Sequence, residues 1–222
     1  MSETLPLFPL GTVLFPGLLL PLHIFEDRYR RLVRDLLDGP APRRFAVIAI
    51  RKGRETGVDG VDSLYQIGCT ATLRQVEEHD DGRFSLVTVG TDRFRLLGLD
   101  RSLPYLRGEV ELLPEDTGDD AAARLAARAV QQGFRAYLDA VDAQAAARVR
   151  MSSLPDDPVA LSYLVAAAVI ADLRDKQDLL DAPDALQRLD AERTLLAREV
   201  AMLRALTSAP AADLRYSPYS SN

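Results

Sequence analysis

The first half of the chain carries the alternation of apolar and polar positions that is typical of β-strands. Between Ile67 and Leu73, apolar or small residues alternate with glycine and threonine, which is the period of a half-buried strand. Residues 45–50 are continuously apolar, as in a strand buried on both faces. The sequence Asp-Asp-Gly at residues 80–82 predicts a hairpin turn, and residues 84–89 read as its return strand.

One helix interrupts these strands. Apolar residues recur at helical spacing over residues 25–37, Gly39 is placed to end the helix, and Pro40 prevents its continuation. Residues 51–62 are polar and rich in glycine, which predicts a loop. The remaining strands are predicted at residues 4–25, as two or three short ones, and at residues 93–99 and 105–113. About six short strands joined by turns predict a closed or partly closed antiparallel barrel.

The pattern changes at Pro114, after which no β alternation is found. Apolar stripes with helical spacing run through residues 125–141, 159–170 and about 183–206. Asp157 is placed to cap the second of these helices, with Pro158 in its first turn. Three or four such helices form a bundle. We therefore predict an α+β protein with a β-barrel-like region at residues 1–114, a helical bundle at 119–207 and a disordered tail at 210–222.

The amino-terminal segment, residues 4–25, is apolar and contains no charged side chain. Four prolines and two glycines would break a membrane-spanning helix there, and no basic residue precedes the segment as in a secretory signal. We interpret it as short buried strands with turns. The expected location of the protein is the cytoplasm, without membrane attachment.

The net charge and the cysteine content argue against several classes of function. The 222 residues include 27 basic and 33 acidic side chains, for a net charge of −6, and such a field repels nucleic acids. The single cysteine, Cys69, excludes an internal disulfide and a cysteine-based zinc cage.

Candidate catalytic groups do not form a recognisable motif. Phosphate-binding loops and a Gly-x-Ser-x-Gly nucleophile turn are absent from the sequence. His23 and His79 are more than 50 residues apart in sequence, and no cysteine or further histidine lies near either, which argues against a metal site. Cys69 lies on the apolar face of its strand and has no adjacent base. We predict no enzyme activity, no cofactor and no metal.

The order of several short segments resembles a known family. The chain reads LPLFPLGTVLFPG at residues 5–17, LPLHIFEDRY at 20–29, YQIGCTA at 65–71, VGTDRFR at 89–95 and DKQDLL at 175–180. Together these segments resemble the amino-terminal substrate-binding domain of the ATP-dependent Lon proteases. The resemblance covers residues 4–206 and implies a six-stranded pseudo-barrel, similar to PUA-like folds, followed by a helical bundle.

In Lon proteases this domain contributes to the capture of unfolded or tagged polypeptides and to assembly of the ring. The ATPase and the serine-lysine peptidase that follow it there would begin beyond residue 222, so the resemblance implies a stand-alone recognition domain. It supplies no catalytic residue for this chain.

Three functions follow as hypotheses. We favour a non-catalytic module that binds an unfolded or extended polypeptide, or a partner protein, through Phe15, Leu18 and Leu19, although residues of this kind more often belong to the core. The alternative is a scaffold that self-associates as a homo-oligomer or docks to a larger protease or chaperone. The apolar helix at 159–170 is the feature that suggests this alternative. RNA binding, as in some PUA-like folds, is a minor alternative that rests on fold analogy.

Overall fold

The computed structural model describes residues 2–53, 61–142 and 153–208, which form a sheet half followed by a helical half. The strands are β1 (Ser2–Leu10), β2 (Leu19–Ile24), β3 (Arg44–Gly53), β4 (Val61–Leu64), β5 (Ile67–Glu78), β6 (Phe84–Asp100) and β7 (Arg107–Leu112). The helices are α1 (Asp27–Asp38), α2 (Asp120–Asp142), α3 (Pro158–Ala168), α4 (Leu173–Asp181) and α5 (Ala185–Ser208). The tail predicted at residues 210–222 lies outside the described residues.

The seven strands form one mixed sheet in which nearly all pairs are antiparallel. The strand order is β1-β7-β6-β5-β3-β4, and β2 pairs with β6 beside this path. Strand β1 also pairs with β3, in parallel, with Leu7 opposite Ala46. The pairings therefore return to β1 and close a ring of five strands, β1, β7, β6, β5 and β3.

Several details of the predicted sheet are wrong. The described sheet has seven strands where about six were predicted, β4 begins within the residues predicted to be a loop, and the β1–β3 pair is parallel. Residues 84–99, predicted as two strands, belong to the single 17-residue strand β6. This strand pairs with β2 and β5 in its first part and with β7 in its second. A change of partner leaves no mark on hydrophobic periodicity, so the sequence could not reveal it.

Helix α1 covers the core of the sheet half with one apolar face. Its buried residues, Tyr29, Leu32, Val33 and Leu36, have the predicted helical spacing, and the Tyr29 ring stacks on Phe8 of β1 at 4.1 Å between centroids. The helix begins at Asp27, two residues later than predicted. Residue 25 therefore lies outside it.

The helical half contains the predicted bundle. The Asp157 carboxylate caps α3 by accepting a hydrogen bond from the Ala160 backbone N–H at 2.8 Å, and Pro158 occupies the first turn, as predicted. Helices α2 and α5 pack closely, with Gly133 beneath the Leu196 side chain. No helix in the described part of the chain is both long and apolar enough to cross a membrane.

Buried hydrogen bonds join the two halves. The guanidinium of Arg93, on β6, donates to the backbone carbonyls of Leu180 at 3.0 Å, of Pro183 at 3.2 Å and of Ala182. From the helical side, the Gln177 side chain donates to the Ile67 carbonyl at 3.0 Å. Each of these contacts fixes the helices against the sheet at a defined place.

A second arginine organises the helical side of this junction. Arg188, on α5, is fully buried; its guanidinium donates to the Leu179 carbonyl, the Ser162 hydroxyl and the Tyr163 hydroxyl at 2.8–3.1 Å. The carboxylate of Glu115, in the linker before α2, lies 3.5 Å from Arg188 and 3.9 Å from Arg93 and accepts a hydrogen bond from the Tyr163 hydroxyl. We name Arg93, Glu115, Tyr163 and Arg188 the junction network.

Candidate functional site

The three residues predicted to bind a polypeptide lie close together but differ in exposure. Phe15 is 1% exposed and packs in the core shared with the helices, its ring 6.3 Å from that of Tyr163. Leu18 is half-buried, whereas Leu19, the first residue of β2, is 67% exposed. Leu19 therefore presents apolar surface to solvent, while Phe15 holds the preceding segment in place.

The exposure of Leu19 continues along one face of β2. Side chains of β2 alternate between the core and solvent, and Leu19, Pro21 and His23 lie on the solvent side. Phe25, directly after the strand, is 54% exposed. We name these four residues the β2 strip. The intervening side chains of Leu20, Leu22 and Ile24 pack against the core and hold the strip in position.

Strand β6 widens this apolar surface. Leu19 lies opposite Val89 and Pro21 opposite Val87 in the antiparallel pair, and both valines are half-buried. Residues directly opposite in such a pair point to the same face of the sheet. The exposed face therefore presents two adjacent rows of apolar side chains.

The outer edge of β2 is the second feature of this surface. Among the described residues, β2 pairs with β6 alone, so its other edge can accept an added strand. Pro21 lies in this strand and has no backbone N–H to donate, as is usual for proline in edge strands. Capture at this edge would therefore combine a few backbone hydrogen bonds with apolar side-chain contacts.

A cavity of about 160 Å³ adjoins the same strand. Its lining residues come from the end of β1, the end of β2 and the start of α1: Phe8, Pro9, Leu10, Leu22, His23, Ile24, Phe25, Glu26 and Tyr29. This volume is well below the roughly 300–1,000 Å³ of typical small-molecule sites. The cavity suits a single apolar side chain of a bound polypeptide better than a cofactor.

A larger cavity of about 400 Å³ lies at the junction of the two halves, and several of the side chains that line it are charged. Arg93 lines it and already donates to three backbone carbonyls. Burial, followed by the neighbouring Asp178 carboxylate, raises the pKa of Asp181 at its rim. We assign this cavity to the packing between the halves.

The groups considered for catalysis lie on different elements. Burial raises the pKa of the Cys69 thiol, whose described hydrogen bond goes to the Thr70 carbonyl. Lys176, on α4, donates to the Ala167 carbonyl at 2.8 Å, and burial lowers the pKa of its amine. His23 lies on the exposed face of β2. Within the described residues, these groups do not form a nucleophile paired with a base.

The two histidines, by contrast, are neighbours in space. The centroids of the His23 and His79 rings are 6.1 Å apart, although 55 positions separate them in the sequence. In the described part of the chain, no group of three or more His, Cys, Asp or Glu side chains is placed to hold a metal ion.

Sequence reasoning missed Phe25 as a surface residue because it fits the helical spacing of α1 equally well. The signal in the sequence that could have identified it is the acidic pair Glu26-Asp27 directly after it. Acidic residues are frequent in the first turn of a helix. The helix therefore starts after Phe25.

Comparison with known proteins identifies relatives over almost the whole chain. The family model of the ATP-dependent protease La (LON) substrate-binding domain matches residues 4–198. Lon protease 2 of Syntrophobacter fumaroxidans is 26% identical over 214 residues, covering 91% of this chain and 25% of the relative. Lon protease of Escherichia coli is 23% identical over 201 residues, covering 90% and 25%. The chain thus spans about a quarter of the length of these curated relatives.

Two solved structures share the fold. The Lon N-terminal domain protein from Xanthomonas campestris aligns with a TM-score of 0.60 at 25% identity, over 88% of this chain and 98% of that one. The N-terminal domain of the Mycobacterium avium complex Lon protease aligns with a TM-score of 0.64 at 20% identity, over 90% and 98%.

Proposed function

The chain belongs to the family of Lon substrate-binding domains, and from this membership we propose that it is a polypeptide-binding module that captures unfolded or extended segments. The observation that carries the proposal is the β2 strip, a row of exposed apolar side chains beside a free strand edge and a small apolar cavity. An unfolded polypeptide offers what this surface can bind, namely an extended backbone with apolar side chains.

The geometry favours an extended ligand over a helix. Side chains of an extended segment on one face recur every second residue, as do Leu19, Pro21 and His23 of the β2 strip. A ligand strand along the outer edge of β2 would direct one side chain toward the cavity lined by Phe8 and Tyr29.

The expected affinity is modest. Full burial of one Leu or Phe side chain contributes about 1.5–3 kcal/mol, so Leu19 and Phe25 together contribute roughly 3–6 kcal/mol before the ordering costs of binding. Backbone hydrogen bonds at the edge add to this. If the backbone hydrogen bonds offset the ordering costs, we expect a dissociation constant between about 40 μM and about 1 mM.

The proposed module binds without cleaving. Cys69 is buried, and its charged neighbours are Asp92, Arg93 and Glu115 rather than a histidine or lysine. We also propose that the five-stranded ring, together with β2 paired to β6, corresponds to the six-stranded pseudo-barrel of PUA-like type implied by the resemblance, which the closed strand pairing supports.

The test is a binding titration with a permanently unfolded, fluorescently labelled polypeptide. Fluorescence anisotropy is measured as the protein concentration rises to about 1 mM, the weak limit of the expected range. We expect saturable binding by the wild-type chain and a loss of about tenfold or more in the double variant Leu19→Ser/Phe25→Ser. Mass spectrometry should recover the polypeptide intact.

Leu125→Ser supplies the matched control. Leu125 is 70% exposed on α2, in the helical half, so its replacement removes a similar exposed leucine elsewhere and should leave binding unchanged. No association at the highest concentration would contradict the proposal. A loss confined to the Leu125 variant would favour the scaffold function, in which the helical half makes the contact.

A further inference from the structure

His23 and His79 are brought together by the strand register. His23 lies opposite Ser85 in the β2–β6 pair, and Ser85 lies opposite Glu77 in the β5–β6 pair. His79 follows β5 at the start of the hairpin that leads into β6. The two rings meet at a centroid separation of 6.1 Å, beside the solvent face of β2.

We propose that His23 and His79 form a two-histidine site for a divalent late transition-metal ion such as Cu²⁺, Ni²⁺ or Zn²⁺. Imidazole is a preferred ligand of these ions. The metal–nitrogen distance is about 2.0–2.1 Å, which places the ion about 3.2 Å from the centroid of each ligating ring. Two such centroid-to-ion distances add up to about 6.4 Å at most. The 6.1 Å between the ring centroids therefore allows both rings to bind one ion without movement of the backbone.

Ser85 supports this assignment by orienting one of the ligands. The Nε2 atom of His79 lies 2.8 Å from the Ser85 hydroxyl oxygen. In the tautomer in which Nε2 donates this hydrogen bond, the Nδ1 atom keeps its lone pair for a metal ion. Ligating histidines commonly hydrogen-bond through their other ring nitrogen to a group outside the ligand set. Water would complete the coordination, because no third described His, Cys, Asp or Glu side chain joins the pair.

The surrounding charge favours a cation. Besides Glu77, the hairpin carries Glu78, Asp80 and Asp81. Arg83 pairs with Asp81 at 2.6 Å, and Arg34 approaches Glu78 at 3.8 Å. Glu77 and Asp80 are exposed and contribute negative potential near the histidines.

The sequence makes this site unusually easy to test, since the chain contains two histidines and both belong to it. Tag-free protein is titrated with Cu²⁺ by calorimetry, and the complex is studied by electron paramagnetic resonance. We expect one ion per chain, a spectrum with two imidazole nitrogens, and weaker binding of Ni²⁺ and Zn²⁺, in the Irving–Williams order.

Three variants test whether the histidine pair or the acidic hairpin binds the metal ion. His23→Asn and His79→Asn should each weaken Cu²⁺ binding at least about tenfold, while Asp80→Asn, the matched control in the hairpin, should change it less than about twofold. Circular dichroism should show that all three variants stay folded. Binding that survives in His23→Asn, a spectrum with a single nitrogen, or a larger loss in Asp80→Asn would overturn the proposal.

Discussion

The side chains of the β2 strip and those of the junction network differ in burial and in polarity. In the junction network, arginine and tyrosine side chains are buried and hydrogen-bonded: Arg188 alone donates to three groups within 3.1 Å. In the β2 strip, Leu19 and Phe25 are large and apolar yet more than half exposed. The junction network buries charged groups whose hydrogen bonds stabilise the fold, and the β2 strip leaves apolar side chains exposed to solvent.

This contrast affects how residues with a shifted pKa are interpreted. Shifted pKa values often mark functional sites, but two of them here belong to the junction network. Burial raises the pKa of the Tyr163 hydroxyl and lowers that of the Arg188 guanidinium. Since both groups are committed to internal hydrogen bonds, the shifts report on packing between the halves. The candidate binding surface is identified by exposed apolar area instead.

The largest effect is expected at the junction, on replacement of Arg188. Arg188→Met removes the buried guanidinium, so the Leu179 carbonyl and the Ser162 and Tyr163 hydroxyls each lose one hydrogen bond. Because a hydrogen bond to a charged group contributes about 1.5–3 kcal/mol, we expect the free energy of unfolding to fall by about 3–5 kcal/mol, as measured by urea denaturation. Arg193→Met on the same helix is the control, because the exposed Arg193–Asp190 pair contributes less than about 1 kcal/mol. Equal losses in the two variants would show that the junction network does not stabilise the fold.

Two neighbouring residues of the sheet half sharpen the comparison. Ile24 is 2% exposed and Phe25 is 54% exposed. Ile24→Ala should lower the free energy of unfolding by about 2–5 kcal/mol because it leaves a cavity in the core. Phe25→Ala should change it by less than about 0.5 kcal/mol while weakening polypeptide binding. Urea denaturation and the anisotropy assay separate the two effects, and a strong destabilisation by Phe25→Ala would assign Phe25 to the core.

The smallest effect is a pH dependence that arises from Glu192. This carboxyl group is fully buried on α5, and none of the described residues forms a hydrogen bond with either of its oxygens. Burial holds its pKa well above the usual range, although the nearby Arg188 acts in the opposite direction. As the pH rises, the unfolded chain releases this proton before the folded chain does, so folding stability falls with rising pH above the ordinary glutamate range.

Glu192→Gln removes that titration. We expect the variant to be more stable than the wild type by roughly 1 kcal/mol at about pH 8, and the advantage to shrink toward about pH 5. Urea denaturation at several pH values measures both. An advantage that is independent of pH would mean that the carboxyl group is ionised in the folded state throughout this range.

Local signals in the sequence identified most of the elements correctly. The spacing of Tyr29, Leu32 and Val33 predicted α1, and the cap at Asp157 with Pro158 predicted the start of α3. The Asp-Asp-Gly turn was also correct, with Gly82 at a φ of +75° in the left-handed region. These features depend on residues a few positions apart, and the sequence displays such relations directly.

The candidate site was predicted only in part. Leu19 lies on the exposed surface as expected, but Phe15, four residues before it, is buried in the core. Both are large and apolar, and they occur in one uncharged segment, so composition cannot distinguish them. The chain turn at residues 16–18 decides the difference, since the Gly17 N–H donates to the Gly90 carbonyl and the Gly90 N–H donates to the Leu18 carbonyl.

The sequence by itself determined the family, the division into strands followed by helices, and the boundaries of the helices with clear caps, because each depends on local order along the chain. Only the tertiary structure decided which apolar residues of β2 face solvent, that Arg93 and Arg188 share the carboxylate of Glu115, and that His23 meets His79. These are relations between distant parts of the chain. Strand register and packing set them, and neither is visible in periodicity or composition.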